Sequence, residues 1–485
     1  MKMCWNFLTI FVISSTLSYS LADYYTCSPS ITINPPANIS NAWFYPNGWN
    51  ATLPDPGYAA GQNCSWIINV PKGMFASLNV EASTDPQSSL IVTDSVNYST
   101  KITSSDLEPF YLMDPSFTIT LQANQVGTFA MRVYWREIPQ VFPSSWNVHA
   151  NSTPLALYAG DFDNSTVIQA DTRVSLLATY PSASLDFTPI LRATQVYDGP
   201  SINSTHLGNL YQVLVSKNKL VSNGTYLTLY SLLPGTFAMG NAVILQDYSN
   251  VKQFKSYKAT YCLMPDLCPI ALDATNGTAA AIHISGPLFV TQLSMPTTNK
   301  LSVYANYFTD SNKLADYSYS NSLTNLPQKF RGKFTTFVLD QDQASFYLVY
   351  NAIKAGWSPA AQGRRGFFAS ANFGVMDSKQ DFDDQVTATK YSNISYTVNR
   401  AAIVGQSALS VTITNKQKPV INNVYTVSNF PGGPVYAFGD SISVSYKSNG
   451  GISSGPFISF GFDNSASSQG ILVTVVVSIW MAIIL

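Results

Sequence analysis

The chain has 485 residues, 46% of them hydrophobic, which is enough for three or four separate cores and too many for one. Only 11% are charged and the formal net charge is −1, so the composition suggests neither a nucleic-acid partner nor a basic membrane-binding face. With charge this sparse, something else must keep the surface hydrated.

The first element is apolar. "MKMCWNFLTIFVISSTLSYSLADYY" carries Lys2, a largely apolar run from Trp5 to Ile13, and small residues ending at Ser20-Leu21-Ala22. This is the layout of a signal peptide over residues 1–22, too short to span a bilayer. It implies a secreted chain, in which Asn-x-Ser/Thr sequons can accept glycans. Sequons occur at Asn38, Asn50, Asn63, Asn97, Asn151, Asn164, Asn203, Asn223, Asn276 and Asn393. Glycans at these positions would supply the hydration that charges do not. Cys4 leaves with the signal, so Cys27, Cys64, Cys262 and Cys268 remain in an oxidising compartment. Proximity favours Cys27 with Cys64 and Cys262 with Cys268, among three possible connectivities. The spacing Cys262-x5-Cys268 is a poor metal motif.

No long stretch has helical periodicity. Alternation at period two recurs instead, in "FTITLQ" from Phe117, "YLTLYS" from Tyr226, "FYLVYN" from Phe346 and "SISVSYK" from Ser441. Each is followed by a glycine and a second strand pattern, beginning at Gly127, Gly235, Gly366 and Gly455. The five residues Gly-Thr-Phe-Ala-Met at Gly127 return unchanged at Gly235. Glycine suits a loop end where φ is positive, and Phe two residues later would point inward. Four β modules of roughly 90 to 130 residues are expected, each an antiparallel sandwich of short strands.

The chain closes on "GFDNSASSQGILVTVVVSIWMAIIL". Small residues at Asn464, Ser465 and Ala466 precede a short polar spacer and an apolar tail from Ile471 to Leu485. That order reads as a GPI-attachment signal over residues 464–485, with Asn464 the anchor residue and Ser465 and Ser467 as alternatives.

"ANISNAWFYPNGWN", "YAAGQNCSWIINVPKGMFASLNVEAS" and "GTFAMRVYW" closely resemble the nematode-type CUB-like domain over about residues 27 to 138. In the next module, "VYDGPSINSTHLGN" and "GTYLTLYSLLPGTFAM" look like an ordinary CUB pattern. The resemblance implies an all-β chain of tandem antiparallel jelly-roll-like β-sandwiches. The expected organisation is residues 23–139 and 140–261 as CUB-like domains, then sandwich modules at 262–378 and 379–463 in which the likeness weakens. Nematode members of the family are secreted or GPI-anchored, and many are associated with the innate immune response.

CUB domains often hold Ca²⁺ through a Glu, an Asp near the strand that leads to Tyr-Asp-Gly, and a later loop Asp. Oxygen ligands of this kind are what Ca²⁺ requires. Glu81, Asp85, Asp94 and Asp198 are the candidates here, but Ser88 stands near one expected Asp, Asn124 near another, and Arg192 near the second module's. No cofactor is therefore expected. Gly451-Ile452-Ser453-Ser454-Gly455 fits a nucleophile elbow, yet a strand pattern follows it, and His149, His206 and His283 all precede it. It reads as a turn. The acidic clusters at Asp340/Asp342 and Asp381/Asp383/Asp384 read as solvated loops. Arg364-Arg365 reads as a protease site or a solvated pair. Trp43, Phe44, Tyr45 and Trp49 are the candidate recognition aromatics, unless they plug the end of the first sandwich.

These features together predict a glycosylated, GPI-anchored, non-catalytic protein of the outer cell surface. Its partners would be an extracellular protein or glycan and, through the lipid, the membrane. A structural glycan coat without a specific ligand and an unrecognised secreted enzyme are the alternatives.

Overall fold

The computed structural model describes residues 24–105, 108–140, 143–158, 165–179, 191–233, 242–262, 267–284, 286–430 and 432–463. The signal peptide, the second Gly-Thr-Phe-Ala-Met copy, Asn164 and the anchor signal lie outside these residues. The chain divides into two compact units, Met1–Ile138 and Pro139–Leu485.

The first unit is a sandwich of two sheets. One has strands Ile31–Ile33, Asn63–Asn69, Ser116–Gln122, Ser89–Thr93 and Ser99–Ile102, in that spatial order. The other has Trp43–Tyr45, Gly127–Glu137, Met74–Ser83 and Phe110–Met113, with the short Gly57–Tyr58 also paired to Gly127–Glu137. Period-two alternation forms the core: Phe117, Ile119 and Leu121 face Leu78, Val80, Phe129 and Met131 between the sheets. Trp66 and Trp135 are fully buried there, and the Trp135 indole N–H donates to the Asn69 carbonyl at 2.8 Å. Phe129 points inward as expected. Gly127 is needed for close approach rather than for positive φ: a Cβ there would sit 2.3 Å from the Tyr58 hydroxyl and 2.7 Å from the Ser83 carbonyl.

The second unit holds two more sandwiches. In the first, one sheet is Ser144–Val148, Ser165–Ala170, Tyr226–Ser231, Thr194–Asp198 and Thr205–Asn209; its mate is Leu155–Tyr158, Ala242–Asp247, Val174–Thr179 and Leu220–Val221. In the next, the sheets are Ser256–Thr260, Ala279–Ile284, Phe334–Leu339, Lys300–Ala305 and Lys313–Ser318, against Cys268–Asp273, Gln343–Val349, Leu288–Ser294 and Gln328–Phe330.

Leaving aside Gly57–Tyr58, each sandwich has nine strands among the described residues, in one arrangement. Numbered within the module, the sheets run 1-3-8-5-6 and 2-9-4-7 in all three. The first strand lies parallel to the third every time, and every other pairing is antiparallel.

The glycine marker misplaces the third sandwich's last two strands. These are Phe334–Leu339 and Gln343–Val349, one in each sheet, so "FYLVYN" lies in the second of them rather than the first. Asp342 (φ 54°) occupies the left-handed position in the turn, which is why no glycine flags it.

The expected fourth sandwich at 379–463 is instead one six-stranded antiparallel sheet, and it begins earlier. Its order is Arg365–Ala369, Phe457–Asp463, Phe382–Arg400, Val435–Lys447, Ala408–Asn415 and Lys418–Tyr425. It needs no second sheet because Phe289, Val349 and Trp357 pack into the same core as its Ile394, Tyr396, Val444 and Ile458.

Candidate functional site

The junction between the second and third sandwiches begins with a helix stop. Asn209 caps the helix Leu210–Ser216, and its side chain accepts from the Gln212 N–H while the Gln212 side chain accepts from the Asn209 N–H. The helix ends where Lys217 turns left-handed, at φ 54°. Asn218 then clasps the next module. Its amide donates to the Lys255 carbonyl at 3.4 Å, and its side-chain oxygen accepts from the Tyr257 N–H at 3.2 Å. Lys217, Lys219, Lys255 and Lys258 are thereby gathered from two segments almost forty residues apart.

None of the four lysines is ion-paired among the described residues. The Lys219 ammonium donates to the Phe254 carbonyl and the Lys258 ammonium to the Ala271 carbonyl. Burial, with Lys255 nearby, holds Lys219 below the usual lysine range. Burial, with Lys217 nearby, does the same to Lys258. These are cations pressed together without a carboxylate.

Lys217 and Lys258 line two cavities. One, of about 490 Å³, is walled by Leu177, Tyr211, Leu214, Tyr261, Ile270 and the Cys262–Cys268 disulfide. The other, of about 700 Å³, is walled by Ser256, Asp273, Ser294, Gln343 and Ser345 among others. Asp273 is the one carboxylate among the described residues lining them. Thr275 and Gln343 hydrogen-bond its oxygens, holding it below the ordinary carboxylate range. The buried Arg192 guanidinium lies 4.9 Å from the centre of the Tyr211 ring. Two lysines, tyrosine rings and serine hydroxyls thus line these cavities, a chemistry that can accommodate an anion.

The sequence candidates fall elsewhere. Asp85 accepts from the Ser88 hydroxyl and the Gln87 N–H, and Ser88 in turn accepts from the Asn124 N–H at 2.8 Å. The loops that a Ca²⁺ ion would tie together are tied by this chain of bonds, so Ca²⁺ does not fit the residues present. Asp94 accepts from the N–H groups of Val96 and Tyr98, while Glu81 lies in strand Met74–Ser83 opposite Ala130. Asp198 holds the Asn223 N–H at 2.9 Å. Among the described residues, no group of three His, Cys, Asp or Glu is placed to hold a metal ion.

The aromatic candidates close the first sandwich. Strand Trp43–Tyr45 pairs with Met131–Val133, so Trp43 and Tyr45 share one face and pack on the core. The Tyr45 ring meets Trp66 edge-on at 4.8 Å, and burial pushes its hydroxyl up to about 12. Phe44 and the buried Trp49 pack edge-to-face at 6.0 Å. Trp43 and Tyr45 are thus engaged by the core, while Phe44, half-buried on the opposite face, packs on Trp49.

The disulfides are Cys27–Cys64 and Cys262–Cys268, as proximity favoured. Arg364 is 6% exposed and therefore not a protease site; it packs beside Trp357, and burial lowers it to about 10. Arg365 pairs with Asp463. The cluster at Asp381, Asp383 and Asp384 is not a loop but lies at and within strand Phe382–Arg400. Asp384 pairs with Lys329 (3.0 Å) and Arg331 (2.7 Å) of the third sandwich, which lash the last sheet to it. Ser453 is buried, within 3.2 Å of the Tyr446 hydroxyl, and strand Phe457–Asp463 follows where an elbow would need a helix.

Residues 22–139 match the CUB-like domain family. Residues 147–232 and 249–351 match two domains of unknown function, DUF7592 and DUF7591. These are the two sandwiches that repeat the first one's topology. No curated protein matches the chain. Among solved structures, the CUB1-EGF-CUB2 domains of rat MASP-1 align at 10% identity and TM-score 0.17, covering 42% of this chain and 99% of that one. The same region of human MASP-1/3 gives 12%, 0.16, 42% and 98%. The extracellular region of zebrafish Gpr126/Adgrg6 gives 9%, 0.17, 67% and 53%. Scores this low carry no functional argument. The chain is an all-β protein with a CUB-like domain at its N-terminal end, a kind of module that suggests non-catalytic binding.

Proposed function

We propose that this chain is a non-catalytic, glycosylated binding protein of the outer cell surface, lipid-anchored at its C-terminus, that takes part in the response to pathogens. The signal-like first 22 residues, the sequons and the apolar tail support the location. The family resemblance supports the immune role. Its ligand is an acidic glycan, held where the second and third sandwiches meet.

One observation carries the ligand class. Lys217 and Lys258 line two cavities, with Lys219 and Lys255 in the same cluster, and no carboxylate is paired to any of the four among the described residues. An anionic ligand would supply the missing countercharge, and Tyr211 and Tyr261 would offer faces to sugar rings. The hydroxyls of Ser256, Ser294 and Ser345 suit a polyhydroxylated ligand better than an acyl chain.

The test is retention of the secreted chain on immobilised heparin, a sulfated polysaccharide, against a neutral dextran control. Retention on heparin is expected, elution by salt, and at least tenfold weaker binding in K217E/K258E. Equal binding by the variant would remove the ligand site. No binding to any acidic polysaccharide would favour a coat without a specific ligand.

A further inference from the structure

On the last sheet, Asn393 lies directly across from Phe438, and Ser395, the hydroxyl residue of the same sequon, lies across from Tyr436. Ser392, Ile394 and Tyr396 are buried on the opposite face, so the sequon's two functional side chains share the outer one. That face carries an aromatic platform. Tyr391 and Phe438 are stacked, with centroids 5.9 Å apart and planes 19° from parallel. Tyr391 is 50% exposed, Phe438 37% and Tyr436 60%. A contiguous aromatic patch on a soluble sheet has something to cover it. No hydrogen-bond partner engages the Asn393 side chain among the described residues.

We propose that the N-linked glycan of Asn393 is a structural part of the last sheet, its first N-acetylglucosamine lying on the Tyr391–Phe438 platform. This rests on the secretory reading above. In the lumen, the Asn393 amide nitrogen attacks C1 of a lipid-pyrophosphate-linked oligosaccharide. The C–N bond forms as the C1–O bond breaks; the lipid pyrophosphate leaves with the electron pair, and an amide proton passes to solvent. The apolar face of the sugar then covers rings that water otherwise wets. The adjacency is set by strand register, which fixes a sugar near these rings whatever the rest of the glycan does.

The experiment is glycopeptide mapping and thermal unfolding of the full chain from a secretory host. Asn393 is expected to be occupied. Trimming to a single N-acetylglucosamine should leave unchanged the melting temperature of the transition in which the last sheet unfolds. Loss of the sequon, by N393Q or separately by S395A, should lower it by about 2 °C. In a Y391A/F438A background the same loss should have less than half that effect. An unoccupied Asn393 beside occupied Asn38 and Asn276 would overturn the proposal alone, as would equal sequon effects in both backgrounds. A chain with no sequon occupied would overturn both the proposal and the extracellular reading.

Discussion

The His283 imidazole is fully buried in the third sandwich, with Nε2 2.7 Å from the Tyr350 hydroxyl oxygen and Nδ1 3.1 Å from Thr260 Oγ1. Burial pushes its pKa down from 6.5 to about 4. The unfolded chain takes up a proton near pH 6.5 that the folded chain refuses until about pH 4. Stability from this group is complete above pH 6.5 and is lost as pH falls through that window, by roughly 3 kcal/mol. Urea titrations at pH 7 and pH 4.5 should show that loss, and H283N should reduce it; an unchanged slope in the variant would refute the assignment.

Tyr45 closes the first sandwich against Trp66 and Phe129. Tyr45→Ala should destabilise this unit by about 3 kcal/mol, in the range of a large aromatic truncation. Heparin retention should be untouched, since the lysine site lies in the other unit. Lost retention in a folded Y45A chain would return these rings to the list of recognition residues.

Asp384 balances Lys329 and Arg331 in a largely buried cluster. Asp384→Asn leaves two cations without their carboxylate and should cost about 3 kcal/mol. The third sandwich and the last sheet share a core, so they should unfold together in the wild type. Calorimetry of the variant should show the last sheet separating at lower temperature; one unchanged transition would argue that the ion pairs contribute little.

Native chain should resist trypsin at Arg364, whose side chain is buried beside Trp357. Cleavage there should appear only with unfolding, tracked by peptide mapping across a urea series. Rapid cleavage of the folded chain would restore the dibasic pair as a processing site.

Lys219 and Lys258 titrate below the usual lysine range, chiefly because they are buried. Their charge is therefore lost earlier than that of a free lysine as pH rises. Heparin retention should weaken as pH rises, before solvent-exposed lysines deprotonate. Retention held until free lysines deprotonate would place the binding elsewhere on the chain.

Alternation at period two made the all-β class and most strands legible, because an inward Phe129 or Ile119 must recur every second residue. The disulfides followed from proximity. The third sandwich's closing turn was hidden because Asp342 occupies a turn position that glycine usually fills. The last sheet read as a sandwich since strand pattern reports a buried face without naming what buries it; here Phe289 and Val349 of the third sandwich do, with Trp357 of the connecting segment. The lysine site was illegible for a different reason. Lys217 and Lys258 meet only because Asn218 reaches across a module junction, and no local pattern encodes that reach.

The shared strand order has a consequence in time. In each sandwich the eighth strand joins the pair 1-3 to the pair 5-6, and the ninth joins strand 2 to the pair 4-7. A nascent module therefore carries four disconnected fragments until its last two strands emerge. Neither sheet can zip up progressively behind the ribosome; both close at once, when the module is essentially finished. A premature stop before those two strands would leave no smaller stable sandwich, and the half-sheets would present open edges to every neighbouring chain.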